Sequence, residues 1–213
     1  MGVTTVLFDL DNTLYSAEYA LFDLVDVRIN RYMRDVVGIA ADRVDYLRRR
    51  YWQQYGVTLQ GLIQEHDADA EDYLDYVHDI DVSSRLNANP ALRTMLLQLP
   101  QRKVVFTNGS HDHARRVLQC LKIDDCFETI FDIRVSNYVP KPCRQPYEAV
   151  LNALNVVADE CVMVEDSLAN LDTAVKLGMR AVYVAPLPQQ AGVPYPAVER
   201  VEQAGEIIKQ WIK

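Results

Sequence analysis

Hydrophobic positions along the chain switch between two spacings. Thr4 to Phe8 is a short, nearly continuous run of strand-forming residues, the pattern of a parallel strand buried on both faces. Beyond it the spacing becomes helical. Leu21, Val25, Ile29, Tyr32, Met33 and Val36 recur at three- and four-residue intervals, and so do Val44, Leu47, Tyr51 and Tyr55. Gly38 and Gly56 follow those runs as helix stops. A further helical stretch around Tyr73, Leu74 and Val77 takes Asp67 or Asp69 as its cap. No strand pattern interrupts this block, so residues 17–85 read as all-helical.

From Pro90 onward the two spacings alternate. Strands are predicted over Lys103–Thr107, Thr129–Ile133, Cys161–Val164 and Arg180–Val184. Helices are predicted over Asp112–Leu121, Pro146–Leu154, Ser167–Leu177 and Ala197–Trp211, with Gly178 ending the third. Pro186–Pro196 reads as an irregular surface connection. Strands alternating with helices imply an α/β fold: a parallel, Rossmann-like sheet with right-handed crossovers. The helical block is then an insertion after the first strand. The predicted division is a core of residues 1–16 and 86–213 and a helical cap of residues 17–85, with crossings near Tyr15–Glu18 and Ser84–Asn89.

Ligands of open parallel sheets bind beyond the carboxyl ends of the strands. The first strand ends in Asp9-Leu10-Asp11, which strand alternation directs to one side. Two carboxylates so close repel unless a cation or proton lies between them. The second strand ends in Thr107-Asn108-Gly109 and the fourth in Glu165-Asp166-Ser167. Between them lies Lys141, with a proline on either side restricting its backbone. Each segment alone reads equally as a turn, a helix cap or a solvated lysine. Together they supply a nucleophile, a proton donor, hydroxyl and N–H donors and a held cation, the set that phosphoryl transfer needs. Carboxylates with water suit Mg²⁺, a hard cation.

The segments DLDNT, TNG, PKP and EDS, in this order, resemble the haloacid-dehalogenase-like hydrolases, with the insertion placed as in their helical-cap subclass. Tyr55–His66, Asp72–Asp81 and Val164–Leu171 resemble more narrowly the pyrimidine 5′-nucleotidase branch. The resemblance implies that Asp9 attacks phosphorus and that Asp11 protonates the leaving oxygen and then activates water. It implies Mg²⁺ held by Asp9, the backbone carbonyl of Asp11, and Asp166. Thr107 and the Asn108 N–H would hold phosphate oxygens, with Lys141 offsetting charge on the phosphate and on Asp9. Glu165 would accept from a metal-bound water, and Asn170 would orient the Lys141 or Asp166 region. Cys143 departs from the polar or acidic residue often found there, beyond the pinned lysine. In the cap, Tyr55 and His66 are the candidate substrate contacts. Most of its seven tyrosines are expected to pack its core, and the run Arg48-Arg49-Arg50 to form a solvated face.

Composition narrows the reading. A net charge of −8 over 213 residues argues against a nucleic-acid polymer as partner. The four cysteines form no C-x-x-C pair and read as reduced thiols of a cytoplasmic protein. No signal peptide or membrane-length apolar run is visible. Dehalogenation needs no acid for a halide and no metal, so Asp11 and Asp166 argue against it. A Schiff-base route needs a cap lysine, and there is none between Met1 and Arg102. The expected reaction is Mg²⁺-dependent hydrolysis of a small phosphorylated metabolite, first a nucleoside 5′-monophosphate. Another small phosphate ester or a non-catalytic binding module are the alternatives, and a monomer or homodimer is expected.

Overall fold

The computed structural model describes residues 2–211. In chain order the elements are β1 (Thr5–Phe8), α1 (Leu21–Asp35), α2 (Ala41–Tyr55), α3 (Thr58–His66), α4 (Ala70–His78), α5 (Pro90–Gln98), β2 (Arg102–Phe106), α6 (His111–Leu121), β3 (Thr129–Phe131), α7 (Arg144–Leu154), β4 (Cys161–Glu165), α8 (Leu168–Lys176), β5 (Arg180–Val184), β6 (Ala197–Val198) and α9 (Ala204–Lys209). The strands form one sheet, ordered β3-β2-β1-β4-β5-β6, with every pairing parallel. Phe8 lies beside both Val105 and Val164, so the central strands end level with one another.

Strand alternation divides the sheet's side chains between two cores. Val6, Phe8, Val105, Val164 and Val182 pack on the side of α5, α6 and α9. Leu7, Val104, Phe106, Met163 and Tyr183 pack on the side of α7 and α8. Helices α1 to α4 build a third core from Val25, Tyr32, Leu47, Tyr51, Leu62, Tyr73 and Val77, with edge-on contact between Tyr32 and Tyr73. Tyr32, Tyr51 and Tyr73 thus pack as expected, while Tyr19 and Tyr46 are exposed. Asp69 caps α4 by accepting from the Glu71 and Asp72 N–H groups. Asp67 instead ends α3 in the left-handed conformation. In the arginine run, Arg48 pairs with Asp26 and Arg50 with Glu65.

Two sequence expectations change. The single helix over Ala197–Trp211 divides: Ala197 and Val198 pair with Tyr183 and Val184 as an edge strand, and only Ala204–Lys209 is α-helical. Pro194 and Pro196 extend the chain into that edge, where a missing N–H is tolerated. The strand from Thr129 stops at Phe131, because the Asp132 carboxylate accepts from the Arg134 N–H and opens a 3-10 turn over Ile133–Ser136. Among the described residues no helix is long and apolar enough to cross a membrane.

The segment from Ile133 to Lys141 joins the sheet to the helices above it. Ile133 packs in the helical core. Arg134 and the Tyr138 hydroxyl both bond Glu71 of α4, and Gln60 of α3 donates to the Tyr138 carbonyl at 2.5 Å. These donors hold the Glu71 carboxyl down at about 2, Arg134 first and Tyr138 second. Gly56 has a φ of +86°, and a Cβ there would lie 3.3 Å from Pro140 and 3.5 Å from the Lys141 carbonyl. Glycine meets both demands, a left-handed turn after α2 and a close approach to the Lys141 loop.

Candidate active site

The ends of β1, β2 and β4 face α1 to α4 across a crevice of about 260 Å³. Asp9, Asp11, Thr107, Asn108, Glu165, Asp166 and Asn170 line its sheet side. Lys141, expected to meet phosphate, is not among the lining residues and touches two of them, Asp9 and Glu165. Its side chain is 1% exposed, and its three N–H donors are all used: Asp9 Oδ1 at 2.8 Å, Glu165 Oε2 at 2.9 Å and the Phe106 carbonyl at 2.7 Å. Burial opposes the ammonium charge, but Asp9 and Glu165 outweigh it and raise the Lys141 pKa.

Each group has a local reason for its place. Asp9 continues the β1 ladder, its N–H donating to the Val164 carbonyl. Asn12, at φ 62°, turns the chain sharply just beyond Asp11. Thr107 Oγ1 accepts the Gly109 N–H at 2.9 Å. A Cβ on Gly109 would lie 3.3 Å from Thr107 Oγ1 and 3.5 Å from Asp11 Oδ2, so a side chain there would crowd the crevice floor. Ser167 caps α8, and Asn170 Nδ2 in its first turn donates to Glu165 Oε2 at 3.0 Å. The Asn108 side chain grips the backbone of Lys141, and the Lys141–Pro142 peptide is cis. Cys143 is exposed and lies just before α7.

Asp9, Glu165 and Asp166 bring carboxylate oxygens within 4.8 Å of one another. Burial, then the negative charge of Glu165, raises the pKa of both Asp9 and Asp166. Concentrated negative charge of this kind fits a hard divalent cation. Glu165 is already engaged at both oxygens: Oε2 takes Lys141 and Asn170, and Oε1 takes the Asp166 and Ser167 N–H groups. Asp9 and Asp166 each keep Oδ2 without a hydrogen-bond partner among the described residues, which makes them the better metal ligands of the three. The Asp11 carboxylate stands outside this cluster.

Asp11 instead faces groups that the sequence reading passed over. Its Oδ1 accepts from the Tyr15 hydroxyl at 2.6 Å and lies 2.8 Å from His113 Nε2. Burial alone would raise its pKa, but His113 and Tyr15 outweigh burial and lower it. His78 of α4 stacks on His113 with ring centroids 4.6 Å apart, and burial, then His113, pushes its pKa down to about 3. A signal for His113 was present: residues 113, 114, 117, 118 and 121 form the buried face of α6. A histidine on that stripe six residues beyond Thr107 marks itself out.

The roof of the crevice is apolar, with Phe22, Val25, Leu59, Tyr73 and Val77 among its residues and Trp52, 69% exposed, at the rim. Neither Tyr55 nor His66 lines it. Tyr55 bonds Glu65 at 3.2 Å, and His66 pairs with the Tyr51 hydroxyl at 2.9 Å. Tyr55 ends α2 and His66 ends α3, and the faces they occupy serve contacts between those helices. Trp52 and Tyr73 stand where those two were expected.

The family model for haloacid dehalogenase-like hydrolases matches residues 3–178, most of the chain and every segment of this site. The protein belongs to that family. Phosphate metabolism protein 8 of Saccharomyces cerevisiae is 28% identical over 190 residues, 81% of this chain and 58% of that protein. The chain thus spans little more than half the length of that relative. Phosphorylated carbohydrates phosphatase of Thermotoga maritima is 25% identical over 189 residues, 84% of this chain and 83% of the relative. Among solved structures, a HAD phosphatase from Thermococcus onnurineus superposes with a TM-score of 0.65 at 20% identity, covering 98% of both chains, which supports the fold.

Proposed function

We propose that this hydrolase is a Mg²⁺-dependent phosphomonoesterase that acts through an aspartyl-phosphate on a nucleoside 5′-monophosphate. The observation that carries the reading is convergence: Lys141 Nζ stands 2.8 Å from Asp9 Oδ1, while Asp11, Thr107 and Asp166 line the same crevice. Asp9 attacks phosphorus as the leaving oxygen departs, and water attack on the aspartyl-phosphate then returns the carboxylate. Asp11 gives a proton to the leaving oxygen and takes one from the water. His113 and Tyr15 lower the pKa of Asp11 against the effect of burial, and the negative charge of an arriving phosphate acts the other way, toward the protonated form. Thr107 and the Asn108 N–H hold phosphate oxygens, and Lys141 keeps Asp9 oriented and offsets its charge. Asp9, Asp166 and the Asp11 carbonyl would hold Mg²⁺, which supplies positive charge to the phosphoryl oxygens.

The substrate class follows from the roof. In this reading helices α1 to α4 are the cap and read the leaving group. A wall of Phe22, Val25, Leu59, Tyr73 and Val77, with Trp52 at its rim, suits a nucleobase better than a polyol, whose hydroxyls would lose water without partners. The phosphatase named among the relatives, and the enzyme's own core groups, support the reaction class. The experiment is a screen of nucleoside 5′-monophosphates and sugar phosphates with and without Mg²⁺. Mg²⁺-dependent turnover highest on nucleotides is expected. Preference for sugar phosphates would overturn the substrate class, and absence of turnover on every ester, p-nitrophenyl phosphate included, would overturn the reaction.

A further inference from the structure

Asp11 Oδ1 has two neighbours from different elements. Tyr15, four residues on, donates its hydroxyl at 2.6 Å. His113, one turn into α6, has Nε2 at 2.8 Å with its side chain fully buried. Both fall on the same oxygen. Asp11 Oδ2 has no hydrogen-bond partner among the described residues, and it lies 3.5 Å from where a Cβ on Gly109 would stand, at the crevice floor. A carboxyl with one oxygen pinned twice and the other free has one oxygen left for proton transfer.

The imidazole is itself fixed. The Ser110 cap accepts the His113 N–H at 3.3 Å and starts α6 at that point. His78 lies nearly parallel over the ring, 24° between planes, and is anchored by the contact of its Nδ1 with the Leu74 carbonyl at 2.9 Å. His113 Nδ1 is buried without a partner. A ring with one nitrogen unpartnered and the other on a carboxylate has Nε2–H as its donor tautomer.

We infer that His113, with Tyr15, is a positioning residue that pins Oδ1 of Asp11 and so presents Oδ2 as the oxygen that exchanges protons with the ester. This rests on the phosphomonoesterase reading. In the first half-reaction the Oδ2–H bond breaks and its proton joins the leaving oxygen, which takes the P–O electron pair as Asp9 bonds phosphorus. In the second, Oδ2 takes a proton from the attacking water while the P–O bond to Asp9 breaks and its electrons return to Asp9. Neither histidine touches the reacting atoms.

The test compares phenyl phosphate, whose leaving group needs a proton, with p-nitrophenyl phosphate, whose leaving group hardly does. His113→Leu is expected to lower kcat on phenyl phosphate at least about tenfold more than on p-nitrophenyl phosphate, with KM little changed. His113→Gln, whose amide restores a donor near Nε2, should recover much of the difference. Tyr15→Phe removes the other donor with the ring retained and should shift the ratio in the same direction, so it carries the test if His113→Leu fails to fold. Equal losses on both esters would overturn the inference. Asp11→Asn is the control. If it shows the steep leaving-group dependence and the His113 and Tyr15 variants do not, the positioning role fails and the enzyme reading stands. If Asp11→Asn shows none, the acid role fails and this inference with it.

Discussion

The Asn108 side chain holds both backbone polar groups of Lys141: Nδ2 donates to its carbonyl at 3.0 Å, and the Lys141 N–H donates to Oδ1 at 2.8 Å. The end of β2 thereby fixes the backbone from which the buried ammonium reaches Asp9. Asn108→Ala leaves every charged group in place and removes only this grip. A shift of about 1 Å in a positioned group can cost about 100-fold. We expect kcat to fall roughly 10–100-fold in Asn108→Ala with Mg²⁺ affinity unchanged, measured by steady-state kinetics across a metal titration.

Asp9→Asn should reduce turnover to background, because an amide does not form the covalent phosphate. Asp166→Ala should instead raise the Mg²⁺ concentration for half-maximal activity at least about tenfold, since even outer partners of a metal commonly carry that much affinity. Chelation by EDTA should silence the wild type, and added Mg²⁺ should restore it. Turnover in Asp9→Asn, or an unaltered metal titration in Asp166→Ala, would contradict these roles.

His78 makes stability depend on pH. Its neighbours in the fold are His113 and Arg116 on α6 and Asp11 after β1. Its pKa falls from 6.5 to about 3 on folding, so between those values the unfolded chain binds the extra proton. Stability from this group is therefore full above pH 6.5 and is lost as pH falls toward 3. The loss between pH 7 and 5 is about 2 kcal/mol. Urea unfolding at the two pH values should show a difference smaller by about that amount in His78→Leu than in the wild type.

Gly61 sets how closely α2 and α3 pack. A Cβ at this position would lie 2.1 Å from a Tyr51 ring carbon, and Tyr51 is fully buried with its hydroxyl bonded to Glu65 and His66. Gly61→Ala should destabilise the protein by about 1–3 kcal/mol despite its better helix propensity. Calorimetry would read the loss as a lower Tm. A Tm at or above wild type would mean that the two helices separate without cost.

Much of the fold was legible because its signals are local. The core strands and crossover helices, β1 and β5 among them, follow from spacing that packing then reinforced. The edge strand at Ala197–Val198 was not legible, because two residues carry no period and only their neighbours in β5 define them. The groups at the strand ends were readable as a set, since the topology sends strand ends to one side. The partners of Asp11 were not. Tyr15 and His113 matter through one oxygen atom that they share, and they stand 98 positions apart in the sequence, a coincidence that only the folded chain creates.

The chain between β3 and α7 answers to two masters. Its early residues lock onto Glu71 and Gln60, and its last turn delivers the ammonium to Asp9. Lengthening this strip by a residue would be felt twice, once as a loosened roof and once as a wandering cation. Tolerance to insertions, high in most surface connections, should therefore be lowest here.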